Sequence, residues 1–221
     1  MGEETTKIVR SRTKSFRDLY TALVLENTPT SYKTGTPVKL ARAIKGKVSD
    51  KFSVEKIYSD DGVEDMVESY EGTDVEFEVN SLAPQDKVQL FGHLYRGGFL
   101  VKNKDDKAPE LAVGYRAKKL NGKYEFVWLY CGRFAQGYDA NYETEQDKVS
   151  TQTATLKGSF YERSIDGNYE NSVDESNLLA EHATAAEAIK DWFADVKEPP
   201  TTEGSEDGSE GDEAGNEEVT G

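Results

Sequence analysis

Cysteine and histidine are nearly missing from this chain of 221 residues. Cys131 stands alone, which excludes an intramolecular disulfide and any cysteine-based metal cluster. Placed between Tyr130 and Gly132 in a strand-like run, it reads as a small buried hydrophobe rather than a reactive thiol. His93 and His182 have no Glu-x-x-His or His-x-x-x-His neighbour, so their spacing gives no support to a metal site. His93 follows Gly92, where it can cap helix carbonyls, and His182 lies in a polar linker. No phosphate-binding P-loop, Gly-x-Gly-x-x-Gly turn or Gly-x-Ser-x-Gly elbow occurs. The acidic stretch Asp60-Asp61-Gly62-Val63-Glu64-Asp65 lacks the alternating ligands and terminal Glu of a calcium loop. The expectation is a chain that is not an enzyme and uses no metal or cofactor.

Long apolar runs are also lacking. None approaches the ~20 residues of a spanning helix, and the opening MGEETTKIVRSRTKSF has no apolar core. Neither a signal peptide nor a membrane anchor is expected, and the chain reads as soluble and made in a cytoplasm. Positive charge is in short supply: 27 Lys and Arg face 42 Asp and Glu, a net charge of −15. Nine of those acids fall from Glu198 onward with no Lys or Arg among them, which leaves about −6 for the rest. A body of that sign is ill suited to gripping phosphates, since nucleic-acid affinity comes from Lys and Arg.

What is present is β-pattern. Strand-like runs at Leu19 to Leu25, Val38 to Val48, Phe52 to Tyr58 and Asp74 to Val79 are separated by Asn27-Thr-Pro29, Gly35-Thr-Pro37 and Asp60-Asp61-Gly62. In the last run Val75, Phe77 and Val79 alternate with Asp74, Glu76 and Glu78, one face core and the other acidic. Pro84 to Phe91 reads as a helix stopped by Gly92, and Gly97-Gly98 leads into a short strand from Phe99 to Lys102. Leu111 to Phe134 reads as a β-hairpin about Asn121-Gly122, taken as a two-residue type I′ turn. That register sets Tyr115 opposite Trp128 and Val113 opposite Tyr130, with positions 124, 126, 128, 130 and 134 on the same face as Tyr115 and Val113. Val149 to Tyr161 is a Thr-rich strand in which Gly158 marks a bulge or a close backbone contact. Thr184-Ala-Ala-Glu187 is a capping box opening a terminal helix, whose Ile189, Trp192, Phe193 and Val196 share one face.

The fold class expected is mainly β of the α+β kind: an antiparallel β-sandwich or barrel-like domain with one central and one C-terminal helix. The domain runs 16–197, after a flexible arm 1–15 and before a disordered acidic tail 198–221.

One resemblance covers roughly Phe16 to Glu175. The order HLYRGGFLVKNKDDKAPELAVGYRAKKLNGKYEFVWLYCGRF, KVSTQTATLKGSFYER and IDGNYENSVDE, with KIYSDDGVEDMVESYEGTDVEFEV upstream, resembles the major tail protein, or tail tube protein, of phages with long non-contractile tails that infect Gram-positive bacteria. The resemblance implies a tail tube fold, a virion location after assembly in the host cytoplasm, and six-membered rings of this chain stacked into a tube. It implies as partners the tape measure, tail terminator and distal tail proteins. DNA would pass through the bore without specific binding.

On that reading Asp74, Glu76 and Glu78, with Glu55 on the neighbouring strand, are candidate lumen charges that repel phosphate. An ordinary solvated face accounts for them equally simply. Ser59 to Thr73 is longer than a hairpin connection needs and carries Val63, Met66, Val67 and Tyr70, candidates for a ring-stacking loop; packing over the chain's own core is the alternative. Lys7, Arg10, Arg12 and Lys14 are candidate arm contacts to an adjacent subunit. The acidic tail is expected outside the tube. A different class, a carbohydrate-binding or adhesin β-sandwich, would need exposed aromatics, for which Tyr138 and Tyr142 are the candidates. A tail terminator or head decoration protein is a third alternative.

Overall fold

A computed structural model describes residues 8–59, 62–140 and 153–200. Its strands are β1 (Thr13–Thr28), β2 (Ser31–Thr34), β3 (Val38–Lys39), β4 (Ala43–Ser59), β5 (Gly62–Val79), β6 (Leu94–Arg96), β7 (Phe99–Val101), β8 (Leu111–Lys119), β9 (Tyr124–Arg133), β10 (Tyr138–Ala140), β11 (Ala154–Tyr161) and β12 (Glu170–Asp174). Helix α1 (Pro84–Phe91) follows β5, and α2 (Ala183–Ala188) closes the order. The main sheet has ten strands along the path β2-β1-β8-β9-β11-β5-β4, with β3, β10 and β12 beside β1, β11 and β9; β6 and β7 pair only with each other. The fold is mainly antiparallel β with two short helices.

The sheet curls until β1 meets β4: a Cβ on Gly46 would stand 3.0 Å from the Phe16 ring. Between them lies a core of Leu19, Val75, Phe77, Leu111, Val113, Leu129, Phe134, Leu156 and Phe160, joined by Leu90 and Phe91 of α1. Helix α1 has the expected ends: Pro84 in its first turn, and Gly92 beyond its last at φ 72° with its N–H donating to the Val88 carbonyl. On the other side of β8 and β9 lies a second core of Ala22, Ala112, Phe126, Trp128, Tyr130 and Cys131, covered by Trp192 and Val196.

The β8–β9 hairpin forms, but its turn and register differ from the expected ones. Gly122 N–H donates to the Lys119 carbonyl and Lys119 N–H to that of Lys123, so Leu120, Asn121 and Gly122 make a three-residue loop. Gly122 sits at φ 87°, the left-handed bulge position that such loops require. The register moves by one residue: Tyr115 pairs with Val127 and Gly114 with Trp128. A slip of one sends every side chain to the opposite face. Phe126, Trp128 and Tyr130 therefore face the second core, away from Val113 and Tyr115. Gly114 makes that side wide enough, since a Cβ there would stand 2.7 Å from the Trp128 ring. Because both faces are covered, the apolar pattern alone did not discriminate between the two registers.

The terminal helix is shorter than expected and starts earlier. Its N-cap is His182, and Thr184 lies inside it. The expected stripe still docks, with Trp192 and Val196 buried and Ile189 and Phe193 packed beside them. The helix ends before them, and donors of the second core meet the main-chain carbonyls of the segment that follows. Trp128 Nε1 donates to Trp192 O at 3.1 Å, and Lys197 O accepts from Tyr130 Oη at 3.1 Å and Asn171 Nδ2 at 3.0 Å.

Two further boundaries change, and the alternatives at Gly158 are decided. The arm is tied down from Val9, whose N–H donates to Asn177 Oδ1 at 2.8 Å, and β1 is already formed at Thr13. Gly158 marks a close contact, with a Cβ meeting the Phe134 ring at 2.9 Å and the Arg133 carbonyl at 3.0 Å. The segment read as a loop from Ser59 to Thr73 is strand at Ser59 and from Gly62 onward. β4 and β5 pair from Ala43↔Val79 to Ser59↔Gly62, with register shifts along the way.

Candidate functional site

The β4–β5 hairpin divides into a base and a projecting ribbon. At the base, β5 lies between β4 and β11, and Val75, Phe77 and Val79 enter the first core. Beyond the register shift between Lys51 and Phe52, the two strands have only each other among the described residues. All described residues from Phe52 to Ser69 are exposed. At ~3.3 Å per residue the ribbon reaches roughly 25 Å from the body.

Cross-strand pairing assigns the two faces. The pairs Phe52↔Tyr70, Val54↔Glu68 and Lys56↔Met66 share one face, and Glu55↔Val67 and Ile57↔Asp65 the other. Phe52, Val54 and Met66, each more than half exposed, thus form a stripe on the side continuous with the body's core face. An isolated two-stranded hairpin is marginal in water, and this one carries apolar side chains with nothing over them among the described residues.

Of the four expected stacking residues, Val63, Met66 and Val67 lie on the ribbon and are exposed. Tyr70 stands where the ribbon joins the base. Its ring stacks on Tyr169 at 4.2 Å, and its hydroxyl lies 2.8 Å from Thr73 Oγ1, which donates to Asp50 Oδ1 at 2.5 Å. Burial is the main reason that its phenol is pushed up to about 12. Phe52, Val54, Ile57 and Tyr58 are exposed on the same ribbon, where the sequence pattern assigns them only to a strand. The signal that joins them to it is their pairing with β5.

Asp74, Glu76 and Glu78 do project from one face of the sheet, but that face is not an acidic one. Ser49, Lys47 and Lys45 stand opposite them on β4, and Ser159, Lys157 and Thr155 on β11. Lys51 Nζ lies 2.5 Å from Asp74 Oδ2, and this contact is the main cause that holds the Asp74 carboxyl below its ordinary range. Ser159 Oγ donates to Asp74 at 3.0 Å, Thr153 Oγ1 donates to Glu78 at 2.7 Å, and Lys157 pairs with Asp139 at 2.8 Å. Four lysines interleave with the carboxylates. Glu55 is remote from this ladder: it faces Val67 on the ribbon, beyond the shift that separates ribbon from base.

Arg10, Arg12 and Lys14 are exposed, while the backbone beside them is held to the body, with Leu120 N–H donating to Arg12 O at 2.9 Å. Lys7, Asp60, Asp61, Tyr142 and the acidic stretch from Thr201 lie outside the described residues. Glu198, at the edge of that stretch, accepts from Arg163 at 2.7 Å.

The other candidates resolve into structural roles. His93 Nδ1 pairs with Asp106 Oδ2 at 2.7 Å, which ties the Asn103 to Asp106 turn to the end of α1 instead of capping helix carbonyls. The Cys131 thiol is buried and pushed up to about 12, first by desolvation and next by the Glu110 carboxylate. Tyr138 is no open stacking platform: its ring packs on Phe91 at 5.4 Å, with Lys87 and Lys102 ammonium groups 4.9 and 4.7 Å from its centroid. Among the described residues no group of three or more His, Cys, Asp or Glu could hold a metal ion, and no helix is long and apolar enough to cross a membrane.

The chain matches no protein-family model and no curated protein.

Proposed function

We propose that this chain is a self-assembling structural subunit, the major tail protein of a long non-contractile phage tail, forming stacked rings through which DNA passes. The observation that carries this reading is the β4–β5 ribbon, a strand pair with an apolar stripe and no cover among the described residues. Exposed apolar surface of this kind marks a site of association. A free strand edge invites pairing with another chain, and β4 lies at the end of the sheet's strand path. The resemblance of Phe16 to Glu175 to tail tube proteins supplies the assembly: rings of six stacked around a tape measure protein, bounded by tail terminator and distal tail proteins, in the virion.

The ladder of Asp74, Glu76 and Glu78 with Lys45, Lys47 and Lys157 refines the expected lumen. A face whose lysines are matched by carboxylates offers phosphate little counterion-release affinity even without a net negative charge. Such a lining lets DNA slide.

The test is electron microscopy of the purified protein beside a variant in which residues 54–68 are replaced by Asn-Gly, joining Ser53 to its pairing partner Ser69. The full chain is expected to form rings or hollow tubes, and the shortened chain to keep its thermal unfolding midpoint while forming none. Tubes from the shortened chain, or a full chain that stays monomeric at high concentration, would sink the reading.

A further inference from the structure

A ribbon that docks on another copy needs a surface to receive it, and the body presents one. The β6–β7 hairpin stands apart from the main sheet and pairs Leu94↔Val101 and Arg96↔Phe99 on one face. Leu94 is 56% exposed, Phe99 75% and Val101 48%. Three residues a strand cannot sustain such a hairpin in water unaided, so this patch too is built for cover.

Charge distinguishes the two surfaces. On the ribbon Glu55, Glu64, Asp65 and Glu68 outnumber Lys56 among the described residues, and none of these carboxylates forms an ion pair there. Around β6–β7 stand Arg96, Lys102, Lys104 and Lys107, all exposed and none in an ion pair among the described residues, and they outnumber the one exposed carboxylate beside them, Asp105. Lys102 instead donates to Tyr138 Oη at 3.3 Å. One apolar surface is rimmed by acid and the other by base.

Their placement excludes self-docking. The β6–β7 hairpin follows α1, whose Phe91 packs on Tyr138. The strand of Tyr138, β10, pairs with β11 at Ala154 to Leu156, beside Phe77 and Val79 at the base end of β5. The ribbon leaves from the opposite end of β5, and its stripe, from the Phe52↔Tyr70 pair to Met66, lies roughly 30–43 Å away at ~3.3 Å per residue. Complementary patches at opposite ends make a heterologous contact, which propagates instead of closing on itself.

Resting on the assembly reading above, we infer that the exposed face of β6–β7, Leu94, Phe99 and Val101 ringed by Arg96, Lys104 and Lys107, is the docking site for the β4–β5 ribbon of a second copy of this chain. Burial of Phe99 and Val101 against Phe52, Val54 and Met66 supplies the adhesion. The acid and base rims set the direction and the register.

Charge exchange between full-length chains tests this. One variant carries Glu64→Lys, Asp65→Lys and Glu68→Lys; the other carries Arg96→Glu, Lys104→Glu and Lys107→Glu. Each alone is expected to raise the critical concentration for assembly at least tenfold by sedimentation, with its thermal midpoint unchanged. An equimolar mixture should restore assembly, because each basic ribbon then meets an acidic patch and each acidic ribbon a basic one. A Met66→Cys chain mixed with a Phe99→Cys chain should give a bismaleimide cross-linked pair. If the mixture fails to recover, or the Met66→Cys and Phe99→Cys chains give no cross-linked pair, the docking site is wrong while ribbon-dependent assembly stands. If the unaltered chain does not assemble at all, the failure lies with the assembly reading itself.

Discussion

The two long hairpins of this molecule, β8–β9 and β4–β5, are built from similar residues and put to opposite uses. Both mix Val, Tyr and Phe with charged side chains. β8–β9 has neighbouring strands along both edges and a core on each face, so Trp128, Leu129, Tyr130 and Cys131 are fully buried. β4–β5 shares that environment only at its base, and beyond Lys51 it loses both neighbours and cover. A residue such as Val67 has the same chemistry as Val113 and stands 48% exposed. What distinguishes scaffold from candidate interface here is the supply of neighbours, with little difference in composition.

The comparison breaks most directly at its buried end. Trp128→Ala removes the largest fully buried side chain, over Gly114, whose missing Cβ exists to admit it, and it deletes the indole donor to Trp192 O. A loss of about 3–5 kcal/mol is expected, read as a lower urea midpoint with loss of the C-terminal segment's protection from proteolysis. If Trp128→Ala costs no more than ~1 kcal/mol, the second core does not hold the hairpin as described.

Legibility in the sequence followed the same division. Helix α1 was readable from Pro84 and Gly92 because helix ends are set by local backbone chemistry. Val75, Phe77 and Val79 were readable because one side of β5 is core and the other is wet. The β8–β9 register was not, since a hairpin buried on both faces gives alternation no outside to point to, and Asn121-Gly122 serves a two-residue or a three-residue loop. The ribbon was taken for a loop for the converse reason: with both faces exposed, nothing forced Val63, Met66 and Val67 into period two. The carboxylates of β5 were legible as a row, but the matching lysines came from β4 and β11, which only the pairing brings alongside.

The boundary between described body and acidic terminus gives a smaller effect, sensitive to pH. Arg163 is buried, with its guanidinium 4.2 Å from the Tyr130 ring centroid, and it bonds Asp166 through Nε at 2.7 Å and Nη2 at 2.6 Å. That hydrogen bonding is the first cause that lowers the Asp166 carboxyl to about 2. A carboxylate depressed by folding contributes stability that is fully present above its unfolded value of ~3.9 and is lost as pH falls through the folded one. The unfolding midpoint should therefore drop between about pH 4 and pH 2. Asp166→Asn should lower stability at neutral pH and flatten that part of the profile. An unaltered slope in the variant would show that other carboxylates govern the acid limb.

The ribbon sets the opposite limit, where stability and assembly come apart. Val54→Ser with Met66→Ser removes two side chains that are 52% and 56% exposed and touch no core. Surface changes of this kind move stability by about 0.5 kcal/mol at most, so the monomer's urea midpoint should stay where it is. Both residues nevertheless lie in the stripe that another copy must bury, and at about 25 cal/mol per Å² of apolar surface their loss falls wholly on association. Light scattering should show polymerisation slowed or abolished at concentrations where the unaltered chain assembles. If the same double substitution destabilises the monomer by several kcal/mol, the ribbon is folding against its own body in solution. The contrast between the two hairpins would then be a property of the extended state alone.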